Sequence, residues 1–346
     1  MQHKIIGGEI EFDFNAEIRP RLNRLDDYGS YFASGRSALF SILQALGKRN
    51  IKRILLPDYL CSSIVTPVAA SQLQYDFYKL EDSLLPDIQD IKHRIDESTA
   101  MLFINYFGMQ NLSASVSAVR ELAAEAPIII DDVQALFCFI KSETTDADYT
   151  FTSLRKWLGV PDGGLARSKT NDIDTPDTTN CFWIKKLNGI SLKSMRDSLR
   201  NMDEIYLHLL EEGENMIDDS LTQGGSEVTS MVFERTDLDA IATKRRQNAS
   251  HILSGLKDLG IAPIITHDAK SVPFFIPIVL ENRDLVRKRL FSQNIFFPVH
   301  WPLDGLILER GAFMAAHELS IIIDQRYSTD DMDRILSVLE KSVRLQ

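Results

Sequence analysis

The sequence has few cysteines, and they are not arranged as in metal or redox sites. Its 346 residues include only three, which lie far apart at Cys61, Cys138 and Cys181. A zinc site or a dithiol redox site usually needs a closely spaced pair such as C-x-x-C. An odd count also suits a reducing compartment better than a disulfide framework. The cysteines therefore predict no metal site and favour a cytoplasmic protein.

Positive charge and long apolar runs are also scarce. The formal net charge is -11 at pH 7, whereas a nucleic-acid-binding domain usually shows a basic surface. No apolar run reaches the ~20 residues that a membrane-spanning helix needs, and charged residues interrupt the N-terminal segment too early for a secretory signal. We expect a soluble cytoplasmic chain with neither a nucleic acid nor a membrane as its partner.

Common nucleotide-binding motifs are missing as well. Neither G-x-G-x-x-G nor a Walker loop occurs in the sequence, which argues against an unrelated nucleotide-binding α/β protein. The chain also has no internal repeat. Its length and its 44% content of hydrophobic residues allow two domains or one large α/β domain with an appendage.

What the sequence does contain is a regular alternation of short apolar and amphipathic segments between Tyr31 and Arg167. This alternation is typical of βαβ units and predicts a mostly parallel sheet flanked by helices. Such sheets bind ligands at the carboxyl ends of their strands. The predicted strands are Ile54–Leu56, Tyr75–Leu80, Ala100–Tyr106, Pro127–Asp131, Tyr149–Ser153 and Leu165–Arg167, and the predicted helices are Ser37–Arg49, Cys61–Ser71, Asp87–Ile95 and Val116–Ala124.

The second half of the chain has a different pattern. Residues 191–218 are predicted to be helical, and a long helix is expected over Leu238–Leu259. We expect a large domain over 29–230 and a smaller α+β domain over 231–346, to which the N-terminal arm, 1–28, contributes. The elements predicted for the small domain are strands Val272–Leu280, Ile295–Val299 and Leu319–Ile323 and helices Arg283–Gln293 and Asp330–Val343.

Three segments at strand ends or helix starts carry candidate chemistry. The first is Ser34–Leu39, which opens the first predicted helix. The free N–H groups and the positive end of the helix dipole can bind a phosphate there. Gly35 allows close approach, and the hydroxyl of Ser37 can donate a hydrogen bond. The alternative is a plain helix cap.

The second segment is Ile128–Gln134, in which Asp131 and Asp132 follow a run of isoleucines. An ionised carboxylate at the end of a buried strand needs a partner. Since successive strand side chains point to opposite faces, only one of the two acids needs to bind a ligand. A metal or a helix cap is the alternative partner.

The third segment is Phe151–Gly164, which places Lys156 between two polar residues, Thr152 and Ser153, and a glycine-containing turn. A lysine that is desolvated in such a place loses its proton more easily and becomes a nucleophile toward aldehydes. The alternative is a solvated surface lysine. An anion cradle, a buried carboxylate and a reactive lysine are together what a pyridoxal phosphate site requires.

The same segments resemble the DegT/StrS family of sugar aminotransferases, within the fold-type-I pyridoxal phosphate enzymes. The resemblance covers most of the chain. It rests on Gly35-Arg36-Ser37-Ala38-Leu39, Pro57-Asp58-Tyr59, Asn105-Tyr106-Phe107-Gly108, Asp131-Asp132-Val133-Gln134, Lys156 with Asp162-Gly163-Gly164, and Pro298-Val299-His300-Trp301-Pro302.

The resemblance implies roles for individual residues. Lys156 is the Schiff-base lysine and the general acid and base, Asp131 is the partner of the pyridinium nitrogen, and Gln134 reaches the ring hydroxyl. The residues implied to hold the phosphate are Gly35, Arg36, Ser37 and Ser153, with Thr152 as the alternative to Ser153 because Phe151 stands where the family has serine. Arg155 can help to hold the phosphate or keep the pKa of Lys156 low. Tyr59 is the candidate ring cover, with Cys61 as the next choice.

Substrate-contacting residues are also implied by the resemblance. Asn105 and Phe107 are expected in the pocket, and His300 at the substrate mouth, where packing is its alternative role. Arg326 is a candidate clamp for the carboxylate of the amino donor. A structural salt bridge is an equal alternative for Arg326.

The implied protein is a homodimeric, fold-type-I aminotransferase with pyridoxal 5'-phosphate as its cofactor. It is expected to transfer an amino group from a donor such as glutamate to a keto group on a nucleotide sugar, as in polysaccharide biosynthesis. One alternative is a lyase or dehydratase of the same fold, although related sugar dehydratases have histidine in place of the lysine at position 156. The other is a binding protein without turnover, which the departures at Arg36 and Phe151 keep open.

Overall fold

The computed structural model describes residues 4–14, 19–142, 146–196, 202–266, 268–302 and 309–343. Its main feature is a sheet of seven strands in the order β2-β8-β7-β6-β5-β3-β4. These strands are β2 (Ser30–Phe32), β3 (Arg53–Pro57), β4 (Gln74–Tyr78), β5 (Thr99–Ile104), β6 (Ile128–Asp131), β7 (Tyr149–Ser153) and β8 (Gly164–Ser168), and the short β1 (Ile6–Gly7) lies outside this sheet.

Five neighbouring strands of the sheet, β4, β3, β5, β6 and β7, run parallel to one another. Strand β8 is antiparallel to both of its neighbours, β7 and β2. Because β8 runs the opposite way, it begins at the edge where the parallel strands end. Ser153, the last residue of β7, is therefore paired with Gly164, the first residue of β8.

Helices cover the faces of the sheet, so its central strands are buried on both sides. Strands β5 and β6 are buried throughout, as expected for parallel strands between two helical layers. The helices in the first half of the chain are α1 (Gly35–Lys48), α2 (Ser62–Ala70), α3 (Ile88–Lys92), α4 (Ser113–Leu122), α5 (Leu136–Lys141), α6 (Phe182–Ser194) and α7 (Asp203–Asn215).

The rest of the chain forms two small sheets with their own helices. Strand β9 (Phe275–Val279) pairs antiparallel with β11 (Glu318–Ile322), and β1 pairs in parallel with β10 (Ile295–Phe296). The N-terminal arm therefore joins this part of the molecule. The predicted boundary near residue 230 stays a prediction. The remaining helices are α8 (Glu227–Arg235), α9 (Leu238–Asp258), α10 (Arg283–Ser292), α11 (Glu309–His317) and α12 (Thr329–Val343).

The predicted mostly parallel sheet flanked by helices is confirmed. The stretch predicted to be helical, 191–218, contains the end of α6, which ends at Ser194, and the whole of α7, Asp203–Asn215. Two glycines let these helices pack closely: a Cβ at Gly189 would lie 2.7 Å from Leu210 Cδ2, and a Cβ at Gly213 would lie 2.7 Å from Lys186 Cγ.

Several short elements were not predicted, among them β2, α5, α8 and α11. Each is nine residues or shorter, so its periodicity is difficult to recognise. Of the helices that the structure describes, none is both long and apolar enough to cross a membrane.

The start of β8 gives a test of the fold. A Cβ at Gly164 would lie 2.1 Å from the carbonyl oxygen of Ser34, so Gly164→Ala must push β8 away from the start of α1. We expect the free energy of unfolding to fall by about 1–3 kcal/mol, as measured by denaturant titration.

Gly47→Ala is the matched control, because Gly47 is an exposed residue of α1 and a Cβ added there would meet no atom within 4 Å. This substitution should stabilise by ~0.5–1 kcal/mol. Equal effects of the two substitutions would contradict this packing.

Candidate active site

A cavity of about 210 Å³ lies at the carboxyl ends of the parallel strands. The ends of β5, β6 and β7 meet the start of α1 there, and residues from α7 and from the small sheets complete the wall. The lining residues that matter for its chemistry are Ser34, Gly35, Arg36, Cys61, Asp131, Gln134, Ser153, Arg155, Lys156, Glu214, Phe274, His300 and Trp301.

Lys156 lies on a single 3-10 turn, Leu154–Lys156, which directly follows β7. Its side chain is accessible, and it faces the cavity with protein walls around it. The positive charge of Arg155 is the main cause that lowers the pKa of Lys156, and desolvation acts in the same direction. The role of Lys156 as a Schiff-base lysine stays a prediction, and its position at the cavity agrees with it.

The turn that follows Lys156 is fixed by Asp162, which is fully buried. Its carboxylate accepts hydrogen bonds from the Asn180 side chain at 2.6 Å, from the Ser226 backbone N–H at 2.7 Å, from the Ser226 hydroxyl at 2.8 Å and from the Thr229 hydroxyl. Burial raises the pKa of Asp162, although these hydrogen bonds oppose the increase. Asp162 thus ties the turn to residues 180–229.

Asp131 is the last residue of β6 and lies at the inner wall of the cavity. Burial raises its pKa to about 7, while a hydrogen bond from the Val133 N–H to Oδ1, at 2.8 Å, acts in the other direction. Among the described residues, Asp131 forms no salt bridge and belongs to no cluster of His, Cys, Asp or Glu that could hold a metal ion. A cationic group on a ligand would complement this carboxyl.

The next acid, Asp132, points to the other side of the strand, as expected from strand alternation. Its carboxylate accepts a hydrogen bond from Asn105 Nδ2 at 3.1 Å, and its carbonyl accepts one from the Thr152 hydroxyl at 2.9 Å. Neither Asn105 nor Thr152 lines the cavity. Of the two hydroxyl residues considered for the phosphate, the structure therefore places Ser153, not Thr152, at the cavity.

The start of α1 forms the wall opposite Asp131. Ser34 caps this helix by accepting a hydrogen bond from the Ser37 N–H at 3.1 Å. The Ser37 hydroxyl donates to the carbonyl of Ser220 at 3.0 Å and is fully buried, so it does not reach the cavity. A Cβ at Gly35 would lie 3.3 Å from Val133 Cγ2, which shows how closely the backbone approaches the end of β6.

Glu214, from α7, joins the cationic residues of the cavity. It forms a two-pronged ion pair with Arg155, with both N–O distances at 3.0 Å. It also lies 3.0 Å from Arg36 Nη2 and 3.0 Å from the buried Lys186 Nζ. Burial would raise the pKa of Glu214, but these positive charges outweigh it and hold the pKa well below its usual range.

Two side chains of the cavity wall, Arg155 and Gln134, carry N–H groups that can donate to a ligand. The Arg155 Nε is buried and has no hydrogen-bond partner among the residues that the structure describes. Gln134 accepts a hydrogen bond from the Phe107 N–H at 2.9 Å through Oε1, so its amide NH2 is the part that faces other partners. Both observations fit a ligand with acceptor oxygens.

The small-sheet side of the cavity is aromatic. His300 and Trp301 follow β10, and Phe274 precedes β9. The ring of Tyr59 stacks on Tyr106 at 5.3 Å between centroids and lies 4.8 Å from the Trp301 ring. Tyr59 is buried and is not a lining residue, whereas Cys61 is.

Arg326 lies away from the cavity and is fully engaged elsewhere. Its guanidinium donates to Asp324 at 2.8 Å and to Glu11 Oε2 at 2.6 Å. It also donates to the backbone carbonyls of Gly8 and Glu9 in the arm. These contacts correspond to the structural salt bridge considered as its alternative role.

The structure therefore brings together seven of the predicted site residues and leaves four outside the cavity. The seven are Lys156, Gly35, Arg36, Asp131, Gln134, Ser153 and His300, and the four are Ser37, Tyr59, Asn105 and Arg326. Sequence reasoning missed Glu214, because it lies in an acid-rich stretch, E-E-G-E, with no local signal of a site. It also missed Phe274 as a wall residue.

Comparison with known proteins supports the fold but gives no match by sequence. No protein-family model matches the chain, and no curated protein matches it in sequence. Among solved structures, a putative sugar aminotransferase from Streptococcus pneumoniae, in its PMP form, is similar over 99% of this chain and 99% of that chain, with a TM-score of 0.68 and 12% identity.

Two further solved structures are similar over most of the chain. The structure of DesV from S. venezuelae is similar over 91% of this chain and 86% of the DesV chain, with a TM-score of 0.63 and 18% identity. The aminotransferase TlmJ from Streptoalloteichus hindustanus is similar over 91% of this chain and 86% of the TlmJ chain, with a TM-score of 0.65 and 15% identity. At these identities the likeness establishes the fold, and it confirms the predicted fold-type-I class.

The raised pKa of Asp131 gives a pH-dependent prediction. In the unfolded chain this carboxyl has a pKa of 3.8, and in the folded protein its pKa is about 7. The folded state thus binds the proton more tightly, so Asp131 lowers the stability as the pH rises from 4 to 7. Asp131→Asn, which keeps the acceptor for the Val133 N–H, should stabilise the cofactor-free protein by roughly 2–4 kcal/mol at pH 8.

The comparison is made by denaturant titration at pH 4 and at pH 8. The stabilising effect of Asp131→Asn should fall below about 1 kcal/mol at pH 4, because the folded carboxyl is protonated there and the unfolded carboxyl, with its pKa of 3.8, is only about half ionised. The exposed Asp26→Asn is the control and should change stability at neither pH. A stabilisation that is equal at the two pH values would contradict a buried, titrating Asp131.

Proposed function

We propose that this protein is a pyridoxal 5'-phosphate-dependent aminotransferase. One observation carries the proposal: Lys156, the carboxyl of Asp131 and the start of α1 line the same cavity. A lysine amine, an acid and an anion-binding helix start are the three groups that this cofactor requires, for its aldehyde, its ring nitrogen and its phosphate.

The phosphate end of the site is formed by the start of α1 and by the segment before Lys156. The backbone at Gly35 and Arg36 offers free N–H groups at the positive end of the helix dipole. The Ser153 hydroxyl and the unpartnered Arg155 Nε add donors on the facing wall. These residues fit a dianionic phosphate, although Arg36 and Arg155 are already paired with Glu214.

The ring end of the site is formed by Asp131 and Gln134. A buried carboxyl with a raised pKa and no cationic partner among the described side chains would ionise next to a pyridinium nitrogen. Gln134 offers its amide NH2 to the ring hydroxyl, because its oxygen already accepts from Phe107. When bound, the cofactor supplies an electron sink that stabilises negative charge on the carbon next to the amino group.

Lys156 supplies the base of the reaction. A lysine whose pKa is lowered carries a larger fraction of neutral amine at pH 7, so its Nζ can accept the proton from the substrate carbon and return it. Arg155 is the main cause of this lowered pKa. The same positive charge favours an anionic ligand in the cavity.

We propose an amino donor such as glutamate and a keto sugar, linked to a nucleotide, as the acceptor. Support comes from the structures among the similar ones that are named sugar aminotransferases. We propose that His300 and Trp301, which line the cavity on the small-sheet side, contact the acceptor. We further propose a homodimer and a role in the supply of amino sugars for polysaccharide biosynthesis.

The half-reaction with glutamate tests this function. After loading with pyridoxal phosphate, the yellow protein should bleach on addition of glutamate, with release of 2-oxoglutarate in equal amount. Lys156→Ala removes the base and should slow this conversion by at least ~100-fold, whereas the exposed Lys52→Ala should leave it unchanged.

The negative outcomes of this experiment differ from one another. If the cofactor binds but its spectrum changes with no amino donor, the protein is the binding protein without turnover considered above and not an aminotransferase. A protein that binds no pyridoxal phosphate would contradict the cofactor assignment itself.

A further inference from the structure

A chain of hydrogen bonds leads from the cavity into the interior on the small-sheet side. The Nδ1 of His300 lies 2.8 Å from the Ser320 Oγ, and this hydroxyl lies 2.5 Å from Oε1 of Glu318. The other carboxylate oxygen, Oε2, accepts a hydrogen bond from the backbone N–H of His300 at 2.7 Å. His300 lines the cavity, whereas Glu318 and Ser320 are fully buried.

Strand geometry produces this arrangement. Glu318 and Ser320 are two residues apart on β11, so their side chains leave the same face of the strand. The Ser320 N–H donates to the carbonyl of Pro298 at 3.2 Å, which holds the segment leading to His300 against that face. The imidazole is enclosed by aromatic rings, with Phe107 at 5.7 Å and Phe275 at 5.1 Å between centroids.

The hydrogen bonds among His300, Ser320 and Glu318 allow two arrangements of their protons. If Glu318 is ionised, the Ser320 hydroxyl donates to it, Nδ1–H of His300 donates to Ser320, and Nε2 carries no proton. If Glu318 is protonated, it donates to Ser320, the hydroxyl donates to Nδ1, and the proton of His300 is on Nε2. The two arrangements differ by one proton in total.

We propose that His300, Ser320 and Glu318 form a proton relay that stores one proton on Glu318 and presents it to the cavity at His300 Nε2. When Nε2 takes up a proton, the proton on Nδ1 passes to Ser320 and the proton of Ser320 passes to Glu318. Release runs in reverse. No bond other than these O–H and N–H bonds forms or breaks, and the imidazole is neutral in both end states.

The charges around the relay support both states. Burial raises the pKa of Glu318 to about 8, against the effects of Ser320, the His300 N–H and Arg283 on α10. Burial and the nearby charge of Lys156 lower the pKa of His300 to about 3. The remaining titratable neighbour is Tyr59, whose pKa is raised by burial and by the charge of Glu318. Glu318 is therefore the group that exchanges a proton near neutral pH.

The consequence for ligand binding rests on the proposed function. With Glu318 protonated, Nε2–H is a hydrogen-bond donor and suits a keto or hydroxyl oxygen of a sugar acceptor. With Glu318 ionised, Nε2 is an acceptor and can receive a proton from the ligand. Ser320 and Glu318 are thus positioning residues, which act on the ligand through His300.

Nitrogen-15 NMR of histidine-labelled protein without cofactor tests the relay directly, because the two ring nitrogens report which of them carries the proton. The His300 signals are assigned by their loss in His300→Gln among the seven histidines of the chain. In the wild type we expect Nε2 to be protonated at pH 6 and Nδ1 at pH 10, with a midpoint near 8.

Three variants distinguish the relay from simple packing. Glu318→Gln keeps an acceptor for the His300 N–H and a donor to Ser320, so it should hold the proton on Nε2 at every pH. Ser320→Ala removes the hydroxyl that links His300 to Glu318 and should abolish the pH-dependent change of the protonated nitrogen on His300. The exposed Glu281→Gln should behave as the wild type.

Two results would overturn the relay: a wild-type His300 whose protonated nitrogen does not change between pH 6 and pH 10, or a Glu318→Gln protein that still titrates like the wild type. Both are measured without cofactor or substrate. A failure of the relay is therefore distinguishable from a failure of the proposed aminotransferase function, which only the glutamate half-reaction tests.

Discussion

The register of β6, β7 and β8 is the constraint on which the candidate site depends. Asp131 is paired with Phe151 across β6 and β7, and Ser153 is paired with Gly164 across β7 and β8. These pairs put the acid, the turn that carries Lys156 and the start of α1 at one edge of the sheet. A shift by one residue would turn each strand's side chains to the opposite face, so the site and the sheet are specified together.

Charge compensation is the second feature that shapes the site. Arg36, Arg155 and Lys186 converge on Glu214, which lies on the α7 helix and not on the sheet. The carboxylate offsets positive charges that would otherwise repel one another near Lys156. If the cofactor phosphate binds here as proposed, it would meet a cluster that is already partly neutralised, so backbone N–H groups and the Ser153 hydroxyl would contribute more to its recognition.

The parts of the molecule that follow from local pattern were predicted from the sequence, and those that depend on distant contacts were not. The apolar strand before Asp131 and the turn with Gly163 and Gly164 have clear local signals. Tyr59 has the right position in the chain for a ring cover, but it is buried against Trp301 and does not line the cavity. Likewise Glu214 reaches the site only because α7 packs on α6, and Arg326 is taken up by the arm.

The central claim is that Lys156 is the residue that bonds to the cofactor, and the location of the covalent attachment tests it most directly. The protein is mixed with one equivalent of pyridoxal phosphate, reduced with borohydride, digested and analysed by mass spectrometry. The account predicts one pyridoxyl group per chain, on Lys156. A label that is absent, or distributed over exposed lysines with Lys156 unmodified, would contradict it.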